Sequence, residues 1–480
     1  MVRRLEADQY GDCVIQERLR PIVDETRPLA ERFIAAGHRV YLVGGIVRDL
    51  LADRPLDQPD IDLTTDARPA DIKTLLNGWA DAIWTQGERF GTIGAKKAGR
   101  AFEITTHRAE AYVPESRKPD VEFSDAIEAD LSRRDFTVNA MALTLPDPQL
   151  VDPFDGSADL LVHRRLRTPI DAEQSFSDDP LRMLRAARFI AGFGLEPDDA
   201  VRTAINDLRH RLEIVSAERI RDELDKLIVV DDPSAGLWFL HETGLFEEFL
   251  PEVPALRLEQ DPIHRHKDVL AHTIAVVRNV AARQPDGAPN KIVRLAALFH
   301  DIGKPKTRSV AGHGVSFHHH EVVGARMTRE RLTALRYPAS EVEAITRLVF
   351  LHLRFHGYDE GDGGWTDSAV RRYVRDAGDL LTELNELTRC DCTTRNEKRA
   401  TMLARRMDAL EARIARLAEE EELKSIRPEL DGNAVMQLLD LEPGPEVGEA
   451  MRYLLDVRLD EGILGEEDVK RRLLDWWNSR

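Results

Sequence analysis

Apolar positions fall into two regimes along the chain. From about residue 22 to 157, short apolar runs alternate with helical spacing. Val40-Tyr41-Leu42-Val43 is a continuous apolar run that stops at Gly44-Gly45, which predicts a buried strand. Ile61-Asp62-Leu63 and Phe102-Glu103-Ile104-Thr105 predict two more. Beyond about 158 the strand signals fade, and residues 180–193 and 217–230 carry apolar positions at helical spacing. Pro251 and Pro254 break the pattern, and Gln260-Asp261-Pro262 reads as a linker. Residues 264–392 form a His-rich helical region with a loop at Gly361-Asp362-Gly363-Gly364. Residues 395–480 are helical again, and the Glu419–Glu422 run within the amphipathic stretch 397–424 predicts a solvated helix face.

The predicted fold class is therefore α+β. A polar, mobile lead-in spans 1–20 and a mixed head 21–157. An all-α neck and body covers 158–260, a His-rich helical domain 261–394, and a helical tail 395–480. The 480 residues agree with several domains of ordinary size. A hydrophobic fraction of 42% and a charged fraction of 32% exclude wholesale disorder. Three cysteines exclude a disulfide scaffold, and Cys390 and Cys392 are too close for an easy bridge. With no apolar leader and no run long enough to span a membrane, a cytoplasmic protein is expected. The formal charge of -19 argues against an overall basic coat, so any nucleic-acid binding must rest on a local basic track and weaken with salt.

Candidate chemistry begins at Gly44-Gly45, followed by Arg48. Glycines between a strand and a helix let backbone approach a phosphate at free N–H groups, although such a pair also makes a plain tight turn. Asp60-Ile61-Asp62 places two carboxylates on one face of a strand. Oxygen ligands so placed suit Mg²⁺ shared with substrate phosphates. Glu103 is a candidate third carboxylate, or a strand-end acid in an ion pair. A phosphate cradle followed closely by a carboxylate pair is the pattern of metal-assisted nucleotidyl transfer.

The stretch Leu42 to Thr65 resembles the first motif of the class II tRNA nucleotidyltransferase and bacterial poly(A) polymerase family. Further segments match that family in order: Arg133–Ala140, Asp152–Gly156, Asp179–Phe189 and Ser216–Ile220. The resemblance implies a small palm-like head with a mixed sheet. It also implies addition of C, C and A to the 3′ end of tRNA from CTP and ATP, with release of pyrophosphate. Asp60 and Asp62 would bind two Mg²⁺ and carry catalysis, with Glu103 the candidate third catalytic carboxylate. Gly44, Gly45 and Arg48 would hold triphosphate, and Arg134, Asp135 and Asn139 the ribose-recognition motif. Asp179 and Arg182, three apart on a helix, would read the base edge. Arg185 and Arg188 would hold triphosphate or support that helix. Asp178 stands where the family usually has Glu. The polar segment from His107 to Pro119 resembles the flexible loop required for the final A, with Arg117-Lys118-Pro119 in place of Arg-Arg-Pro.

A second constellation, His272, His300, Asp301, His320, His352 and Asp391, resembles the ligand set of the HD phosphohydrolase superfamily. Its mixed N and O donors suit Mn²⁺, Ni²⁺, Co²⁺ or Fe²⁺. Cys390 and Cys392 flank Asp391, either as a Cys-x-Cys site or as small core residues. The competing readings are a poly(A) polymerase, and an HD nucleotide phosphohydrolase with an RNA-binding head.

Overall fold

The computed structural model describes residues 9–56, 60–111, 120–258, 268–284, 289–311, 314–357, 365–393, 396–421 and 427–480. The chain divides into two compact units, Met1–Phe249 and Leu250–Arg480.

In the first unit, the stretch expected as a lead-in is helical from Gln9, because α1 runs Gln9–Ala35. Leu19, Ile22, Val23, Thr26, Leu29, Ala30 and Phe33 recur at three- and four-residue spacing and bury one stripe of it. The strands are β1 (Val40–Val43), β2 (Ile61–Thr65), β3 (Ala82–Trp84), β4 (Thr92–Lys97), β5 (Arg100–Thr106), β6 (Arg108–Ala111), β7 (Asp120–Phe123), β8 (Ala142–Thr144) and β9 (Leu150–Val151). Seven form one sheet in the order β3-β4-β5-β2-β1-β8-β9. Its β2–β5 pair is parallel and the other pairs are antiparallel. Parallel strands need a crossover, supplied here by α3 (Pro69–Leu76), β3 and β4.

Register sorts the two faces. Leu42, Leu63 and Ile104 align across β1, β2 and β5, and Ile61, Phe102 and Ala95 across β2, β5 and β4. All six are buried; Trp79, just beyond α3, meets Phe102 edge-on at 5.1 Å. On the opposite face, Tyr41 and Val43 join Ile127, Leu131, Ala140 and Ala142 in a second core. Among the described residues nothing comparable covers the β5–β4–β3 end of that face, where Glu103, Lys96 and Trp84 are exposed.

After the sheet, the first unit contains α5 (Ala172–Asp178), α6 (Leu181–Phe193), α7 (Ala217–Ile228) and α8 (Ser234–Glu242). The Asp171 carboxylate caps α5 by accepting from the Gln174 N–H at 3.0 Å. Gly236 lets α8 lie against α6, since a Cβ there would stand 2.5 Å from the Ala187 carbonyl oxygen. Strand structure in this region is limited to a two-residue pairing of Arg165–Leu166 with Glu196–Pro197.

The second unit is built on α9 (Val269–Ala282), α10 (Lys291–Phe299), α11 (His320–Ala334), α12 (Ala339–Leu351), α13 (Leu381–Cys390) and α14 (Glu397–Glu421). One short hairpin, Ser309–Ala311 with Gly314–Ser316, interrupts the helices. Asp268 and Asn290 cap α9 and α10 through side-chain oxygens. Three further helices, Gly432–Leu439, Pro445–Glu461 and Glu466–Asn478, close on Leu430, Val435, Ala450, Leu454, Val469 and Leu473. Among the described residues no helix is long and apolar enough to cross a membrane.

Candidate functional site

Sheet register assembles the head site. Asp62 on β2 stands directly opposite Glu103 on β5, so both carboxylates project from the same face. Asp60 precedes β2 and is exposed. Burial pushes the Asp62 carboxyl up to about 6, with Glu103 and Asp60 adding to the rise against the pull of Arg134. A buried acid raised by like charges is a donor set that fits a cation, and oxygen-only ligands fit a hard divalent one. Gly44 has φ +80, and a Cβ there would lie 3.2 Å from Asp62 Oδ2. Glycine thus serves both the turn and the close approach of backbone to carboxylate.

These groups face a cavity of about 530 Å³. Its lining holds eight arginines against four carboxylates, Asp62, Glu103, Asp135 and Asp179, so the local charge is opposite to that of the whole chain. Arg48, in the short helix α2 (Gly45–Leu51), donates to Asn139 Oδ1 at 2.7 Å and to Asp49 at 2.9 Å. Its guanidinium also lies 4.4 Å from the Phe193 ring centre. Asp135 is buried: Oδ1 accepts from Asn139 Nδ2 at 2.9 Å and from the Phe136 N–H, while Oδ2 accepts from Arg185 Nε at 2.7 Å. Although burial alone would raise the Asp135 carboxyl, Arg185 and Asn139 hold it far below the usual carboxylate range. Arg134 donates to Asp130 of helix α4 (Ile127–Ser132) at 3.3 Å.

Asp179 and Arg182 both line the cavity without pairing with each other. Asp179 stands between α5 and α6, where Oδ1 accepts from the Leu181 N–H at 3.2 Å and Oδ2 meets Arg219 at 3.1 Å. Arg182 is buried and donates to Ser175 Oγ at 2.8 Å and to the Arg133 carbonyl. The expected shared helix face gives way because Asp179 lies just outside the helix as a cap. Arg188 donates to Glu223 of α7 at 2.8 Å, and Arg185 stands 3.6 Å from the same carboxylate. Asp178 accepts from Gln174 at 2.6 Å. Glu223, Asp130 and Asp49 escape sequence reasoning because each looks like an ordinary surface acid on a charged helix. Within the segment expected to be loop-like from His107, Arg108–Ala111 instead forms β6, paired with β7 at Asp120–Phe123, a partner that leaves no local signal. Residues 112–119, including Arg117-Lys118-Pro119, lie outside the described residues.

In the second unit the six predicted ligands converge from five helix ends. His272 sits in the first turn of α9, and His300 and Asp301 follow α10. His320 opens α11, His352 follows α12, and Asp391 follows α13. They form two groups, His272–His300–Asp391 and Asp301–His320–His352, with ligand atoms within 4.8 Å in each. Asp301 joins them: Oδ2 lies 3.2 Å from His300 Nε2, and Oδ1 lies 3.3 Å from His320 Nε2. The Nδ1 atoms of His300, His320 and His352 meet the carbonyls of Ala297, Phe317 and Val349 at 2.8, 2.8 and 2.6 Å. A carbonyl only accepts, so each Nδ1 carries a proton and turns Nε2 inward, where it offers a lone pair whenever the imidazole is neutral. His352 Nε2 is buried there with no hydrogen-bond partner among the described residues. This donor set fits one or two divalent ions. Burial disfavours charge on His300, yet Asp301 and Asp391 push its pKa up to about 10; burial, with His300 adding to it, pushes His352 down to about 3. Lys304 donates to Asp301 at 2.6 Å, and a cavity of about 580 Å³ opens beside the cluster. Cys390 is buried with its thiol pushed up to about 12, whereas Cys392 lines the cavity. His318 and His319 are exposed. His266, the Gln260–Pro262 linker and the Gly361–Gly364 loop lie outside the described residues.

Residues 40–167 match the poly A polymerase head domain, 194–256 the probable RNA and SrmB-binding site of polymerase A, and 269–422 the HD domain. The head and HD families imply use of divalent metal ions. An A-adding tRNA nucleotidyltransferase of Deinococcus radiodurans is 35% identical over 91% of this chain and 95% of its own length. A CCA-adding enzyme of Leuconostoc citreum is 37% identical, over 47% of this chain and 54% of its own length, so the chain spans about half of that relative. The crystal structure of a Bacillus stearothermophilus CCA-adding enzyme in complex with CTP shares the fold, with a TM-score of 0.66 at 24% identity, covering 96% of this chain and 98% of that one. Similarity at 35% along nearly its whole length to a tRNA nucleotidyltransferase establishes that the chain belongs to the tRNA nucleotidyltransferase and poly(A) polymerase family.

Proposed function

We propose that this chain adds C, C and A to the 3′ end of tRNA from CTP and ATP, without a nucleic-acid template and with release of pyrophosphate. The observation that carries this reading is the Asp62–Glu103 register facing an arginine-rich cavity that also holds Asp179 and Arg182. The head, neck and body, HD domain and tail are assigned to 21–157, 158–260, 261–394 and 395–480.

Asp60 and Asp62 would hold the divalent ions, Mg²⁺ by their oxygen donors, with Glu103 as the third carboxylate beside them. Such ions would activate the RNA hydroxyl and steady the leaving pyrophosphate. Gly44, Gly45 and Arg48 hold the triphosphate, and Arg185 and Arg188, braced by Glu223, extend its cationic wall. Arg134, Asp135 and Asn139 form the ribose side. Asp179 accepts from the exocyclic amino group of cytosine or adenine, while Arg182 donates to a ring acceptor. Uracil and guanine present the opposite pattern at those atoms. A cytoplasmic location, where tRNA, CTP and ATP are at hand, accords with this activity.

A-only addition is the second reading, because the relative matched along nearly the whole chain is an A-adding enzyme. Incorporation from CTP alone and ATP alone, on tRNA lacking its 3′ end, separates the two. CCA addition requires CTP first, whereas an A-adding enzyme extends only tRNA that already ends in CC. Long A tracts on any RNA would point to a poly(A) polymerase. Loss of all incorporation in Asp62→Ala is expected; normal incorporation by that variant would sink the head assignment.

The HD site is proposed as a phosphohydrolase centre binding Mn²⁺, Ni²⁺, Co²⁺ or Fe²⁺ through the six ligands. Phosphate release that persists in Asp62→Ala and vanishes in His300→Ala is the expected result.

A further inference from the structure

One row of the head sheet continues past the carboxylates. Asp62 pairs with Glu103, Glu103 with Gly94, and Gly94 with Trp84. Directly paired residues project from the same face, so all four share it. Gly94 has no side chain, and the Trp84 indole lies across it. A Cβ at Gly94 would stand 1.9 Å from Trp84 Nε1. Although its indole rests on Gly94, Trp84 remains 37% exposed. On the same face, Thr92 and Thr105 join Glu103 in the cavity wall, and Lys96 stands exposed two residues beyond Gly94.

The direction of approach follows from the chemistry. In-line phosphoryl transfer keeps the attacking and leaving oxygens on opposite sides of the phosphorus. The triphosphate groups Gly44, Gly45 and Arg48 lie on the β1 side of Asp62. With the triphosphate groups on that side, the β5 side is left open to the attacking RNA hydroxyl, and there β4 and β3 present Lys96 and Trp84. Trp84 is two strand spacings, about 10 Å, from the Glu103 position. Aromatic rings beside a positive charge bind single-stranded RNA by base stacking.

We propose that Trp84 is the stacking platform for a base at the single-stranded 3′ end of the acceptor RNA, with Lys96 beside it on the backbone. This rests on the nucleotidyl-transfer reading of the head. Filling the gap over a cross-strand glycine also stabilises a sheet, so the test must move with the RNA base and not with the fold alone.

Trp84→Leu keeps an apolar cover without a π face, and Trp84→Phe keeps the π face. Each is compared with the unaltered protein on tRNA primers whose last nucleotide is intact or abasic, with melting curves confirming the fold. Trp84→Leu should raise KM for the intact primer about tenfold, from the usual strength of a base–aromatic stack, and leave KM for CTP and ATP unchanged. Trp84→Phe should recover most of the loss, and the abasic primer should erase the difference between variants. An unchanged primer KM, an equal rise in nucleotide KM, or a deficit that persists on the abasic primer would overturn the proposal. If the unaltered protein incorporates nothing, the nucleotidyl-transfer reading fails by itself. Fluorescence anisotropy with a labelled single-stranded RNA then still decides the platform, since equal affinity of the unaltered protein and Trp84→Leu would refute it.

Discussion

Asp62 carries the sharpest consequence at the scale of single residues. Its folded carboxyl titrates near 6, above its ordinary value, because of burial and its like-charged neighbours. The folded state thus holds this proton more tightly than the unfolded chain does. The stability it contributes is complete below the ordinary carboxylate pKa and is lost as pH rises through about 6. At pH 7 without a divalent ion, Asp62→Asn should therefore raise thermal stability by on the order of 1–2 kcal/mol while abolishing incorporation. Melting curves at pH 5 and pH 7 check this: the gain should appear at pH 7 and shrink at pH 5. A destabilised Asp62→Asn protein at pH 7 would contradict the electrostatic account.

At the scale of elements, glycines decide which backbones touch. A Cβ on Gly303 would stand 2.2 Å from the His320 carbonyl, so the turn after Asp301 packs directly on the start of α11. Gly303→Ala should push His320 away from Asp301 and empty at least one of the two ligand groups. Metal content measured by mass spectrometry should fall, with incorporation by the head unaffected; full metal content would show that the turn adjusts.

Legibility in the sequence also divides by element. Val40–Val43 and Phe102–Thr105 were legible because buried β runs are locally apolar, and the helices at 181–193 and 217–228 because amphipathic spacing is local. The pairing of Asp62 with Glu103 was not, because register between β2 and β5 is set by strands far apart in the chain. For the same reason the contact of Asp179 with Arg219, forty residues on, left no local trace. The start of α1 was missed because charged and polar positions among residues 9–18 break up a clear apolar pattern in the sequence.

For the whole molecule, the division into two compact units bears on how it melts. The two-state approximation is not expected to hold for such a chain. The six proposed HD ligands stand at the ends of five separate helices, so an ion held there would act as a cross-link within the second unit. A ligand that binds only the folded form at a hundred times its Kd adds about 2.7 kcal/mol. Calorimetry of chelator-treated protein should show two transitions, and stoichiometric Ni²⁺, which prefers imidazole to carboxylate, should raise only one. His300→Ala should remove that rise. A rise in both transitions, or in neither, would count against a site confined to the second unit. The bridging Asp301 carboxylate then has a meaning apart from catalysis. Because it touches both ligand groups, filling one should alter the affinity of the other, and the melting temperature would record metal supply as a graded signal.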